Sequence, residues 1–183
     1  MQYVKGGVEF KLTEGAVQIA VALWLLDDPN FGNFVEIYPD GEHAKQFPIR
    51  QFLVERGFTR TEAVGTTEYG GKYERDGAVL IVNPKSSHGR GDVVAGMGNR
   101  NVRVECKGGT INSTHPGLTS KLRSGFAELI GQAMAMDDNG DRHVIALPLT
   151  GLTKTQAIRL SARCLKAGIE IALVREDGSL HWI

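Results

Sequence analysis

Gly91-Asp92-Val93-Val94-Ala95-Gly96-Met97-Gly98-Asn99-Arg100-Asn101-Val102-Arg103-Val104-Glu105-Cys106-Lys107-Gly108 is the stretch whose period decides the fold. Apolar and polar residues alternate on both sides of Gly98-Asn99, which is turn chemistry, so it reads as two antiparallel strands, Asp92 to Met97 and Asn101 to Lys107. A two-residue turn sets Met97 opposite Arg100 and, counting outward, Asp92 opposite Glu105. Alternation then gathers Asp92, Val94, Arg103, Glu105 and Lys107 on one face, and Val93, Ala95, Val102, Val104 and Cys106 on the other. Every member of the second set is small or apolar. A slip of one residue would mix acids with hydrophobics, so the register is specified, and Cys106 reads as packing.

Working outward, Ala78 to Val82 is a buried strand ending at Asn83-Pro84, within strand periodicity that begins near Thr66. Phe34 to Tyr38 reads as a short strand and Asp40-Gly41 as a turn. Thr13 caps a helix running to about Asp27, and Pro48 opens a short one ending at Arg56 before Gly57. On the C-terminal side Gly108-Gly109 breaks the ladder. Leu118 to Met136 repeats apolar residues every three or four positions, with Lys121, Glu128 and Gln132 on another face. A strand at His143 to Leu149, a helix at Lys154 to Ala167, a strand at Ile169 to Arg175 and a short strand at Ser179 to Ile183 complete the order. The expectation is one α/β domain with a mixed sheet.

The chain has 183 residues, 42% hydrophobic and 23% charged, the proportions of an ordinary soluble domain. Two cysteines and no secretory pattern favour a reducing cytoplasm, and the apolar run Ala16 to Leu26 is too short to span a membrane. The net charge of zero conceals a polarity: residues 1–84 hold 8 Lys and Arg against 12 Asp and Glu, and residues 126–183 hold 6 against 7. Between them, residues 85–125 hold seven cations and only Asp92 and Glu105. Such a stretch can supply phosphate contacts or be a solvated face. Lys85, Arg90, Arg103, Lys121 and Arg123 are the candidate nucleic-acid contacts.

Two facing carboxylates repel by about 4 kcal/mol at 4 Å in an effective dielectric of 20. A shared proton, the neighbouring Lys107 and Arg103, or a divalent cation can neutralise them, and oxygen ligands favour Mg²⁺, Mn²⁺ or Ca²⁺ over zinc. A hard cation beside a lysine in a basic stretch suits phosphodiester hydrolysis. The rival reading is a cross-strand acid and base pairing that solvates a sheet edge.

The segments Gly91-Asp92-Val93-Val94-Ala95 and Arg103-Val104-Glu105-Cys106-Lys107-Gly108, followed by a helix, resemble the PD-(D/E)XK nuclease superfamily, also called restriction-endonuclease-like. The resemblance implies a core of helix, three strands, helix and strand (αβββαβ), a central mixed β-sheet flanked by helices. It implies Mg²⁺-dependent cleavage of DNA, less often RNA, with Mn²⁺ as a substitute. Asp92 and Glu105 would be metal ligands and Lys107 the third catalytic member. Glu14 on the first core helix and Gln132 on the helix after the motif match two further catalytic positions. Gly91 stands where the family usually has proline.

The expected activity is an endonuclease of restriction or repair type, a Holliday-junction resolvase among the candidates, and cutting both strands implies a homodimer. The alternative is a nuclease-derived module that binds or scaffolds nucleic acid without cutting. Arg90-Gly91-Asp92 lacks a receptor in a cytoplasmic setting, and Gly96-Met97-Gly98 lies in a hairpin turn, not at a helix start. His88, His115 and His143 lack zinc-ligand spacing, although His88, before Asp92, can touch a phosphate. The loop before Asp92 and the segment Thr110 to Gly117 are expected to close on substrate. Trp24 and Trp182 read as packing residues, with an interface role as the alternative.

Overall fold

The computed structural model describes residues 3–4, 10–39, 47–85, 89–111, 115–136 and 139–183. Asp40-Gly41, His88 and the middle of the 110–117 segment lie outside the described residues. In chain order the elements are β1 (Tyr3–Val4), β2 (Phe10–Leu12), α1 (Glu14–Asp27), β3 (Phe34–Ile37), α2 (Ile49–Glu55), β4 (Thr59–Ala63), β5 (Gly71–Arg75) and β6 (Ala78–Val82). Then come β7 (Val93–Met97), β8 (Arg100–Cys106), β9 (Gly109–Thr110), α3 (Pro116–Met134), β10 (Arg142–Pro148), α4 (Gly151–Lys166), β11 (Ile169–Val174) and β12 (Leu180–Trp182). No helix is long and apolar enough to cross a membrane among the described residues.

The class is α/β with a mixed central sheet, in the order β12-β11-β10-β8-β7-β3-β6-β5-β4. β8, β10 and β11 run parallel, joined by the crossovers through α3 and α4, and β3 runs parallel to β6; the other neighbours are antiparallel. A small second sheet pairs β1 with β2 and β2 with β9. The hairpin has the register read from sequence, Met97 opposite Arg100 through Val93 opposite Val104. Val93, Ala95, Val102, Val104 and Cys106 are all buried.

Alternation along the strands feeds two cores. Val35, Ile37, Val93, Val104, Cys106, Val144 and Ala146 pack in the core that holds α1, while Ile145, Leu147, Ile171 and Leu173 pack with Phe126 and Leu129 of α3 and Ala157 of α4. The sheet is thus a layer between α1 and the α3–α4 pair. α1 starts where the Thr13 hydroxyl accepts the Ala16 N–H at 3.2 Å. It is buried on nearly every side, as suits a helix apolar all round. α4 begins one turn earlier than its apolar pattern predicts, because Thr150 and Thr153 form a reciprocal capping box. Strand β4, which the sequence pattern did not announce, is a polar edge reading Thr59-Arg60-Thr61-Glu62-Ala63.

Gln18, one turn after Glu14, is fully buried, and neither side-chain amide atom has a hydrogen-bond partner among the described residues. Such groups cost about 1–3 kcal/mol each. Gln18→Met keeps the volume and removes both, and is expected to stabilise the protein by about 2 kcal/mol, read as a higher urea midpoint at unchanged m value. A lower midpoint would mean that a buried water satisfies the amide in solution.

Candidate active site

The candidate residues meet where β7 begins and β8 ends. Gly91 has φ +89, and a Cβ there would come within 3.3 Å of both the Val104 N and O, so a residue with a side chain is strained on two counts. This is the local reason for glycine at position 91. The Asp92 N–H donates to the Val104 carbonyl at 2.8 Å, and its carboxylate accepts the Cys106 N–H at 2.8 Å. Extending the hairpin register by one residue sets Asp92 opposite Glu105, and each carboxyl feels the other.

Burial pushes the Asp92 carboxyl up to about 6, the Cys106 N–H opposing and the charge of Glu14 adding to the shift. Burial, then the charge and hydrogen bond of Asp92, push Glu105 up to about 8. Both shifts run upward, so the pair resists carrying two negative charges and favours keeping a proton. Cys106, on the apolar face, is buried and its thiol is pushed well up, which is the state of a packing residue.

Lys107 follows β8, and its ammonium lies between two helices. Its Nζ is 3.0 Å from Glu128 Oε1 on α3 and 3.9 Å from Glu14 Oε2 at the start of α1. Burial works against its charge, but the Glu128 hydrogen bond and the charges of Glu14, Glu128 and Asp92 outweigh it and hold the ammonium above its ordinary value. Glu14 reaches this position because α1 begins directly on Gly108, where a Cβ would stand 2.5 Å from the Glu14 N and 2.7 Å from the Thr13 carbonyl carbon. Asp92, Glu105, Lys107 and Glu14 are thus brought together. Gln132 stands one turn beyond Glu128 on α3, exposed.

The proposed phosphate contacts divide. Lys85, Lys121 and Arg123 are exposed. Arg90 is exposed, and the Tyr38 N–H nearby donates to the Asp92 carbonyl at 2.9 Å. Arg103 lies on the expected face, but its Nε bonds Asp141 Oδ2 at 2.5 Å and its Nη1 the Arg90 carbonyl at 3.3 Å. The Asp141 side chain is only 5% exposed, and the Arg103 bond, with the Asn101 N–H, holds it below the usual carboxylate range although burial works the other way. Arg103 therefore braces the crossover into β10 rather than presenting a free cation. Sequence reasoning missed Glu128 and Asp141 as partners. Glu128 carried only the signal of sharing the polar stripe of Lys121 and Gln132.

No family model, no curated protein and no solved structure matches the chain. The chemistry therefore rests on the site. Four carboxylates, Asp92, Glu105, Glu14 and Glu128, surround the one ammonium of Lys107, and all the donors are oxygen. Among the described residues no set of three or more His, Cys, Asp or Glu forms a ready cage. Two carboxylates with the remaining positions left to water and phosphate suit Mg²⁺ or Mn²⁺, which keep several waters. The donors fit a hard divalent cation.

Proposed function

We propose that the chain is a divalent-metal-dependent nuclease that hydrolyses DNA phosphodiester bonds, a member of the PD-(D/E)XK group with a restriction-endonuclease-like core. The observation that carries this reading is the carboxyl pair Asp92 and Glu105, set opposite each other at the hairpin's open end, with Lys107 two residues beyond Glu105 and ion-paired to Glu14 and Glu128. The connectivity supports it: α1, then the antiparallel β3, β7 and β8, then α3, then β10 parallel to β8, with residues 38–92 inserted after the first core strand. That succession is compatible with an αβββαβ order.

Asp92 and Glu105 would hold Mg²⁺ or Mn²⁺, releasing the proton they keep. A cation bound there supplies Lewis-acid polarisation of the scissile phosphate and an attacking water of lowered pKa. Lys107, kept protonated by Glu128 and Glu14, places a positive charge where a phosphate oxygen gains negative charge. Glu14 keeps the pocket acidic and orients Lys107 from the α1 side.

The test is cleavage of supercoiled plasmid and of a branched oligonucleotide with Mg²⁺ or Mn²⁺, wild type against Lys107→Ala. The expected result is metal-dependent nicking that falls about 100- to 1,000-fold in the variant, the range of one electrostatic group in a transition state. Equal inactivity of both proteins with DNA binding intact would replace the nuclease by a non-cutting binding module.

A further inference from the structure

We propose that helix α4, with the N-terminal half of α3, forms a ridge that carries the phosphate backbone of duplex DNA to the site; this rests on the reading that the substrate is nucleic acid. The region after residue 125 is acidic in sum, yet α4 holds Lys154, Arg159, Arg163 and Lys166, all exposed, and no acid in its 16 residues. Among the described residues none of the four stands in an ion pair, whereas Lys72, Arg75, Arg103 and Arg142 each have a carboxylate. Neighbouring α3 adds exposed Lys121 and Arg123, and its one acid, Glu128, is engaged by Lys107.

Placement links this charge to the site. Glu105 pairs with Ile145, and Ile145 packs in the core beneath α3 and α4, so both helices cover the sheet face that Glu105 shares. α4 leaves the end of β10, which runs parallel to β8, and so starts at the end of the sheet where Lys107 stands. From Lys154 to Lys166 it extends about 18 Å. Arg159, Arg163 and Lys166 recur at i, i+4 and i+7 and share a face. The helix dipole accounts for cations in the last turn, Arg163 and Lys166, but not for Arg159 or for Lys154 near the N-terminus, where a cation is disfavoured. Without acids at i±4 the helix repels itself, and a polyanion relieves this. Ile158 and Leu165, exposed between the cations, are what a protein partner would use, and the test separates the two.

The experiment measures binding of a 30-base-pair duplex by anisotropy in EDTA across a KCl series, for wild type and Arg159→Gln/Arg163→Gln/Lys166→Gln. Loss of three phosphate contacts is expected to lower the slope of log affinity against log salt by about 3. KM for cleavage should rise at least tenfold, with kcat and melting temperature unchanged. Lys121→Gln/Arg123→Gln is expected to lower the slope by about 2 on its own. An unchanged slope in both variants overturns the ridge, as does altered sedimentation of the triple variant with unaltered DNA binding, which would make the face a protein interface. If the triple variant loses affinity while the wild type cuts nothing with any metal, the ridge stands and the nuclease reading fails. Absence of DNA binding by the wild type overturns both.

Discussion

Glu105→Gln is expected to melt about 4–8 °C above the wild type in EDTA at pH 8 and to lose metal-dependent cleavage by a thousandfold or more. Both carboxyls of the Asp92–Glu105 pair are raised, so the folded state binds protons that the unfolded state has released. Stability of the metal-free protein therefore falls as pH climbs from the ordinary carboxylate range, near 4.5, to about 8, and is flat below and above. The amide removes that burden while still able to donate a hydrogen bond to the Asp92 carboxylate. Solvent reaching the half-open site screens the effect, which leaves about 2 kcal/mol, worth those few degrees in a domain of this size. The advantage of the variant should vanish at pH 4 and be full above pH 8. Adding Ca²⁺ or Mg²⁺ should reverse the order, since only the wild type gains by mass action. A variant less stable than the wild type at every pH would sink the account of a strained, proton-keeping pair.

Gly108→Ala is expected to cost more than 3 kcal/mol and to impair cleavage in whatever protein still folds. The added Cβ meets backbone atoms, the Glu14 N at 2.5 Å, the Thr13 carbonyl carbon at 2.7 Å and the Leu12 O at 2.8 Å, none of which can rotate away. Relief requires moving the start of α1, a helix buried on nearly all sides, which opens the core and draws Glu14 from Lys107. The control is Gly151→Ala at the start of α4, where a Cβ meets nothing within 4 Å and the effect should stay within about 0.5 kcal/mol. Equal melting temperatures for the two variants would show that α1 does not depend on close approach at Gly108.

The hairpin was legible because its alternation is strict: one slip would have buried Asp92 and Glu105 among valines, so the sequence admits one register. The same logic could not reach strand β4, whose Thr59-Arg60-Thr61-Glu62-Ala63 lies on a solvated edge and has no apolar beat. Nor could it pair Arg103 with Asp141, which a crossover through α3 brings back beside Asn101. Glu128 meets Lys107 only because α3 lies across the end of β8, a matter of packing angle rather than spacing. The basic face of α4 was hidden by arithmetic: summed with Asp137, Asp138, Asp141, Glu170, Glu176 and Asp177, four unopposed cations disappear into a slightly acidic total.

The chain has two tryptophans, and the fold puts them together: the rings of Trp24, at the end of α1, and Trp182, on the last strand, stand 5.0 Å apart, with Arg142 over Trp182 at 5.1 Å. Intrinsic fluorescence is therefore a local gauge. It reports the docking of β12 and the end of α1, at the far end of that helix from Glu14, and reads nothing directly from the carboxyl pair. Ellipticity reports the whole sheet, so melting curves from the two signals superimpose only where that edge and the body of the domain come apart in a single step.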